Sequence, residues 1–200
     1  MKKTLILLAG YPATGKTYLC NKILEIFPDF AVVSQDEMKE GLWDQYGFSN
    51  LEEKTKLENQ AWRQYYDCLE KHMEQSNGII SDYPFSEKQK GKLNVISKKY
   101  QYQVITIRLV GDIDVLYERS RERDLKPDRH LAHLVSCYQK GDTMKDRSKA
   151  DCLVTKEIFW ERCENRGYDT FELGHLISLD VTDYHKINYS QIIEKIRSWM

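Results

Sequence analysis

The amino-acid sequence predicts an α/β fold built on an open parallel sheet, because short apolar runs alternate with longer segments of helical character. Several of these runs are continuous rather than alternating, as in strands that are buried on both faces of a sheet. A glycine-containing segment, residues 10–17, follows the first run directly. The five predicted strands are residues 5–9, 31–33, 78–81, 104–110 and 176–179.

Apolar residues recur at helical spacing in the segments between these runs. Residues 17–27 place Leu19, Ile23 and Phe27 on one predicted face. Residues 52–75 are highly charged and free of glycine and proline, which favours one long helix. Further helices are predicted over residues 86–100, 114–124, 131–139, 151–163 and 188–200.

Size and composition fit one folded unit. The 200 residues can form a sheet with helices on both faces, and we expect a single domain over residues 1–200, elaborated by a lid region from about 114 to 174. Hydrophobic residues make up 41% and charged residues 30%, which argues against a disordered chain. The net charge of −1 gives no general attraction to nucleic acid or to anionic membranes. Apolar runs all fall well short of the ~20 residues of a membrane span.

The cysteines and the N-terminal residues favour a cytoplasmic protein. The five cysteines are odd in number and scattered, as expected of reduced thiols rather than of a disulfide framework. Two lysines and an apolar run at the N-terminus imitate a signal peptide. That run stops at Gly10 and leads into a phosphate-loop pattern, so we interpret it as the first strand.

Residues 10–17 match the phosphate-loop pattern G-x-x-x-x-G-K-[ST] at every position. Glycines in such a loop let successive backbone N–H groups turn onto phosphate oxygens. Lys16 would neutralise the β- and γ-phosphates, and the hydroxyl of Thr17 can ligand Mg²⁺. A random chain of this length matches the pattern with a probability of roughly 1%. The predicted ATP-binding residues are Gly10, Tyr11, Pro12, Ala13, Thr14, Gly15, Lys16 and Thr17.

Two aspartates end predicted strands at the sheet edge where open α/β folds bind ligands. Asp36 could take the proton of an acceptor hydroxyl as the γ-phosphoryl group arrives, or it could simply cap the helix that follows. Asp82 could orient Mg²⁺ near the phosphates, or it could be an ordinary turn residue ahead of Pro84.

Arg119 and Arg123 are four residues apart in a predicted helix and therefore share one face. Such a pair could clamp the phosphates and stabilise the charge of the transferring group. Alternatively, the helix presents a solvated charged face, since acidic residues beside the arginines offer local ion pairs of little energetic value.

These motifs resemble those of the P-loop small kinases, the group that includes polynucleotide kinase, zeta toxins, chloramphenicol phosphotransferase and gluconate kinase (AAA_33 or zeta-toxin-like ATP-binding kinases). Besides the phosphate loop, residues 32–37 (VVSQDE) look like the S-x-D-[DE] strand end of polynucleotide-kinase-like enzymes, where the aspartate acts as a base. Residues 79–82 (IISD) are similar to a Walker B segment, and residues 119–123 (RSRER) are similar to an arginine-bearing lid. The resemblance implies a P-loop NTPase fold of three α/β/α layers with strand order 2-3-1-4-5.

The acceptor is not specified by the sequence. In related kinases the region after Asp36 holds the acceptor, and Arg63 on the next predicted helix is our candidate contact for an anionic or polar acceptor. Aromatic residues in this region could stack on a base or sugar, or form the core of a helical subdomain. His130 and His133 do not complete a zinc ligand set.

The sequence therefore predicts an ATP- and Mg²⁺-dependent kinase that phosphorylates a hydroxyl of a small-molecule, nucleoside-like or sugar-like acceptor. Two alternatives remain at this point. One is a polynucleotide 5′-hydroxyl kinase, which the near-neutral charge disfavours. The other is a nucleotide-binding switch without an acceptor, although the guanine-reading N-K-x-D pattern of GTPases does not occur in the sequence.

Overall fold

Five parallel strands form the centre of the computed structural model, which describes residues 2–200. In chain order the strands are β1 (Thr4–Gly10), β2 (Ala31–Val32), β3 (Ile79–Asp82), β4 (Gln103–Val110) and β5 (His175–Asp180). In space they are ordered β2-β3-β1-β4-β5, which confirms the predicted order 2-3-1-4-5. In the register of β1 and β3, Leu8 lies beside Asp82, so both strands reach the same edge of the sheet.

Helices cover both faces of this sheet, as predicted for three α/β/α layers. Seven α-helices occur within the described residues, and none of them is both long and apolar enough to cross a membrane. They are α1 (Lys16–Leu24), α2 (Gln35–Tyr46), α3 (Leu51–Glu74), α4 (Glu87–Lys99), α5 (Ile113–Leu125), α6 (Lys156–Asn165) and α7 (Tyr189–Trp199).

The alternating side chains of β1 divide the interior into two cores. Ile6 and Leu8 pack with apolar residues of α1, α5, α6 and α7 on one face of the sheet. Leu5 and Leu7 pack with residues of α3 and α4 on the other face. All seven residues of β1 are buried, which accounts for the continuous apolar run in the sequence.

A third, smaller core joins α2 to the region between α5 and α6. Trp43 and Phe48 pack there against Leu131, Leu134 and Val135. The predicted helix over residues 131–139 is wrong, because only Leu131–His133 form a single 3₁₀ turn. Beyond that turn the chain extends, and an isolated antiparallel bridge pairs Tyr138 with Phe48.

Side-chain hydrogen bonds fasten the short strand β2 to its neighbour. The Ser81 hydroxyl on β3 donates to the carbonyl oxygen of Val33 at 2.7 Å, and it also bonds to the Tyr65 hydroxyl of α3 at 2.9 Å. The Val33 N–H donates to the Ile80 carbonyl oxygen at 2.9 Å. These bonds hold the segment that leads into α2 beside the end of β3.

Two glycine substitutions should change stability in opposite directions. Gly174, just before β5, has φ +73°, and an added Cβ would lie 2.1 Å from the Val104 carbonyl oxygen. Gly174→Ala should therefore destabilise the fold by roughly 2–4 kcal/mol. Gly91 lies within α4 with nothing within 4 Å of an added Cβ, so Gly91→Ala should stabilise by roughly 0.5–1 kcal/mol. Urea denaturation measures the free energy of unfolding of both variants. Equal shifts of their two midpoints would contradict the close approach of Gly174 to Val104.

Candidate active site

The phosphate loop connects β1 to α1 at the carboxyl edge of the sheet. Gly10 and Gly15 have φ values of +104° and +79°, and Ala13 between them also has a positive φ of +59°. At Gly10 the loop runs so close to β4 that an added Cβ would lie 1.9 Å from the Leu109 carbonyl oxygen. The N-terminus of α1, with its partial positive charge, follows the loop directly. The segment thus has the geometry of an anion cradle.

Lys16 lies curled over this loop. Its ammonium group donates to the Tyr11 carbonyl oxygen at 2.6 Å and to the Thr14 hydroxyl at 3.2 Å. Burial lowers the pKa of Lys16 to about 8, although the negative charges of Asp82 and Asp36 act in the opposite direction. An anion that enters the cradle would stabilise the charged form of Lys16 and raise its pKa.

Thr17 and Asp82 lie together beside the loop, with the threonine Oγ1 3.3 Å from the aspartate Oδ2. Burial and the neighbouring charge of Asp36 raise the pKa of Asp82. Within residues 2–200 no group of three or more His, Cys, Asp or Glu side chains could hold a metal ion. A hydroxyl and a carboxylate fit Mg²⁺, which in phosphate-binding sites takes one or two protein oxygens and fills its other positions with phosphate and water.

Asp36 lines the same cleft as Lys16 and Asp82. The N-cap of α2 is Ser34, whose hydroxyl accepts the Glu37 N–H at 3.4 Å, so the alternative that Asp36 caps the helix is wrong. Asp36 instead pairs with Lys39 at 2.6 Å. Although burial alone would raise the pKa of Asp36, the charges of Lys39 and Arg129 outweigh it and hold that pKa well below its usual range.

The cleft that these residues line has a volume of about 890 Å³. Its walls come from the phosphate loop, α2, α3, the end of β3, α5 and residues 151–168. Seven of its residues are lysines or arginines and four are acidic, so the charge of the lining is positive. The basic residues are Lys16, Lys39, Lys54, Arg123, Arg129, Arg162 and Arg166, and the acidic ones are Asp36, Glu58, Asp82 and Asp151.

Arg123 and Arg119 do not enter the cleft as a pair. Arg123 lines it and is held by Asp124 at 2.7 Å. Arg119 is not among the lining residues and donates to the carbonyl oxygens of Val181 and Thr182, both at 2.7 Å. The two arginines share a helix face, but Arg123 lies at the cleft whereas Arg119 contacts the segment after β5.

The Arg119 guanidinium also stacks on the ring of Tyr184, 4.0 Å from its centroid. The Tyr184 hydroxyl reaches back to the Ala13 carbonyl oxygen of the phosphate loop at 3.4 Å. Arg119 therefore connects the segment after β5 to the loop, a placement that differs from the predicted phosphate clamp.

Two other predicted binding residues also lie apart from the cleft. Arg63 is exposed on α3 and is not among the lining residues, so its placement does not favour contact with an acceptor. The side chain of Tyr11 is buried in the core beneath the loop, and only its backbone belongs to the cradle.

Several lining residues carry no motif and were missed by the sequence analysis. Lys39, Lys54, Arg162 and Arg166 occur in charged helical segments that look like solvated faces. Arg129, which belongs to a turn that the sequence does suggest as a possible contact for phosphate or acceptor, also lines the cleft and lies 3.5 Å from Asp124. Only the packing of distant elements brings these cations together.

The two histidines near the cleft are bound to carboxylates. His133 lies 2.7 Å from Glu40, and His130 lies 3.1 Å from Asp44. Burial lowers the pKa of His133 to about 4, so its ring is neutral at pH 7. Each ring therefore has a carboxylate partner within the described residues.

The fold and the loop define a P-loop nucleotide-binding protein. A family model described as an AAA domain (AAA_33) matches residues 5–137, and the chain belongs to this family. A candidate kinase from Chloroflexus aurantiacus has a similar structure, with a TM-score of 0.77, 25% identity and 100% of both chains covered. Together these similarities make the chain a P-loop kinase-like protein.

More distant solved structures share the fold. A gluconokinase from Sinorhizobium meliloti aligns with a TM-score of 0.51 and 12% identity over 96% of this chain and 87% of its own. A tunicamycin resistance protein from Deinococcus radiodurans aligns with a TM-score of 0.52 and 16% identity over 98% and 95%. No curated protein matches the chain.

The environment of Lys16 predicts an unusual titration. We expect the Lys16 ammonium to titrate near pH 8 in the free protein, and we expect bound Mg·ATP to return its pKa toward the usual lysine range. Affinity for ATP should consequently fall as the pH rises above about 8, because binding then requires uptake of a proton. NMR of ¹³Cε-labelled lysine measures the pKa, and the signal that is lost in Lys16→Arg assigns it. A Lys16 signal that titrates like an exposed lysine would contradict this environment.

Proposed function

We propose that this chain is an ATP-dependent kinase that transfers the γ-phosphoryl group of ATP to a hydroxyl group of a small-molecule acceptor. The observation that carries the proposal is the position of Asp36. It lines the same cleft as Lys16 and Asp82, and it does not cap its helix, because Ser34 does so. A protein that only binds nucleotide as a switch has no acceptor hydroxyl to orient, whereas Asp36 would orient one in a kinase.

The basic residues of the cleft supply most of what phosphoryl transfer requires. In such reactions catalysis is largely positioning and electrostatic stabilisation of charge on the transferring group. We assign Lys16 and the loop N–H groups to the phosphates of ATP. Arg123 lines the same cleft and is our candidate for the arginine that stabilises the transferring phosphoryl group.

Thr17 and Asp82 are the residues that we propose to hold Mg²⁺. When bound there, Mg²⁺ would supply positive charge that offsets the negative charge of the phosphates. Burial and the charge of Asp36 raise the pKa of Asp82, and a cation bound beside it would lower that pKa again.

Asp36 would act on the acceptor. The bond from the γ-phosphorus to the β,γ-bridging oxygen breaks, its electron pair leaves with ADP, and the acceptor oxygen forms the new bond to phosphorus. Asp36 accepts the hydrogen bond of the attacking hydroxyl and receives its proton as that bond forms. Since its pKa is held low by Lys39 and Arg129, Asp36 is a weak base, and orientation of the hydroxyl is its larger contribution.

We assign Arg119 to positioning rather than to the phosphates. Through Tyr184 it supports the phosphate loop from outside the cleft. In this proposal residues 1–200 form one kinase domain. Its region from about 114 to 174 acts as the lid, since Arg123, Arg129 and residues 151–168 line the cleft from that side.

Asp36→Asn separates acceptor chemistry from nucleotide binding. A coupled ADP-release screen over sugars, sugar acids, nucleosides and amino-alcohol antibiotics first identifies an acceptor. On that acceptor Asp36→Asn should lower kcat by roughly 100-fold or more, while the affinity for ATP stays within about threefold. Stability should change little, because Ser34 is the cap.

Asp44→Asn is the matched control for this experiment. Asp44 lies on the same helix, accepts a hydrogen bond from the Tyr138 hydroxyl at 2.7 Å and does not line the cleft. This variant should retain the wild-type kcat. Equal turnover of Asp36→Asn and wild type would exclude Asp36 from the reaction.

A further inference from the structure

Lys54 is a buried cation whose charge lacks an anionic partner. It lies on α3, lines the cleft and is 8% exposed. Its ammonium group donates to the Val135 carbonyl oxygen at 3.1 Å, and it forms no ion pair with any carboxylate of residues 2–200. The nitrogen also lies over the rings of Phe48 and Trp43, 5.3 Å and 5.4 Å from their centres. An ammonium group has three donors, so two of them have no hydrogen-bond acceptor among the described residues. Burial of an unpaired charge is costly, and it is expected where a ligand supplies the opposite charge.

Trp43 adds a second unsatisfied donor at the same place. This residue of α2 lines the cleft and is 1% exposed, and its indole N–H has no acceptor within the described part of the chain. A buried indole N–H usually has a hydrogen-bond partner. The Lys54 nitrogen lies 5.4 Å from the centre of the Trp43 ring, so the two donors belong to one region of the cleft.

The nearby carboxylates form no ion pair with this region. Asp151 is hydrogen-bonded to Ser136, whose backbone N–H it accepts at 3.0 Å. Glu58, one turn beyond Lys54 on α3, lines the cleft but forms no ion pair with Lys54 among the described residues. The charges of Glu58 and Asp151 act on Lys54 from a distance, but no described carboxylate accepts a hydrogen bond from Lys54 or from the Trp43 indole N–H.

The region around Trp43 and Lys54 is close enough to Asp36 for one small molecule to contact both. Asp36 and Trp43 are seven residues apart on α2, which corresponds to roughly 10 Å along a helix. Lys39 lies between them, bonded to Asp36 at 2.6 Å and 5.8 Å from the centre of the Trp43 ring. A small molecule can reach from Asp36 to Trp43 and Lys54.

We infer that the acceptor is a small hydroxy acid, whose anionic oxygen group, a carboxylate or phosphate, is bound by Lys54 and the Trp43 indole N–H while its hydroxyl faces Asp36. The inference rests on the proposed kinase function for the hydroxyl, but the anion site can be tested without turnover. Lys54 and Trp43 hold the acceptor in place and take no part in the proton or phosphoryl transfer.

Direct binding tests the anion site first. With the phosphate loop filled by saturating Mg·AMP-PNP, calorimetry compares acids with matched neutral polyols: gluconate with sorbitol, glycerate with glycerol, and glucose 6-phosphate with glucose. At least one acid should bind ten times or more tightly than its neutral partner, and Lys54→Met should remove that preference. Lys54→Arg, which keeps the charge, should retain part of it. Lys56→Met is the control, since Lys56 is on the same helix, 70% exposed and outside the cleft lining.

Kinetics then separates binding from chemistry. On an acceptor that is phosphorylated, Lys54→Met should raise the acceptor KM about 10- to 100-fold and change kcat less than about fivefold, because the contact is the same before and during transfer. Circular dichroism and thermal melting check that the variant is folded.

The outcomes distinguish the two proposals. Lys54-dependent binding of acids without any phosphorylation would retain the anion site and overturn the kinase function. Phosphorylation of neutral alcohols as efficient as that of acids, unaffected by Lys54→Met, would retain the kinase and overturn the anion site. Equal binding of acids and neutral polyols across all pairs would also overturn it.

Discussion

The arrangement of the candidate site depends on how the end of β2 is held to β3. β2 has only two residues, so the backbone ladder alone fixes it weakly. The buried Ser81 hydroxyl compensates by bonding to the Val33 carbonyl oxygen and to Tyr65 of α3. Because Ser81 precedes Asp82 and Val33 precedes the cap of α2, one hydroxyl positions both candidate carboxylates at the edge where the phosphate loop ends.

The surroundings of Asp82 and Asp36 shift the pKa values of the two carboxylates in opposite directions. Burial and the charge of Asp36 raise the pKa of Asp82, whereas Lys39 and Arg129 overcome burial and lower the pKa of Asp36. The two aspartates therefore differ in basicity. Such a difference would suit the roles that we propose, in which Asp82 holds a cation and Asp36 orients a hydroxyl. The surplus of basic residues around both would favour a cleft filled by anionic substrates.

Local sequence signals predicted most of the fold. All five strands were found because they are short apolar runs, although only β1 is buried throughout and β2 and β5 are partly exposed. Their order followed from the family resemblance. The helix predicted over residues 131–139 failed because a tertiary contact, the bridge between Tyr138 and Phe48, overrides its apolar spacing. The phosphate loop, Asp36, Asp82 and Arg123 were visible as motif residues. Lys39 and Lys54 were not, since a lysine on a charged helix gives no sign in the sequence of which distant surface it meets.

We propose that the cleft directs the γ-phosphoryl group of ATP to an acceptor rather than to water. The fate of label from [γ-³²P]ATP tests this most directly, with reaction products separated after incubation with and without pooled hydroxyl acceptors. If the protein is a kinase, label should appear in an organic phosphate only when acceptor is present, and it should be lost in Lys16→Ala. Release of label solely as inorganic phosphate, at a rate that no acceptor changes, would contradict it.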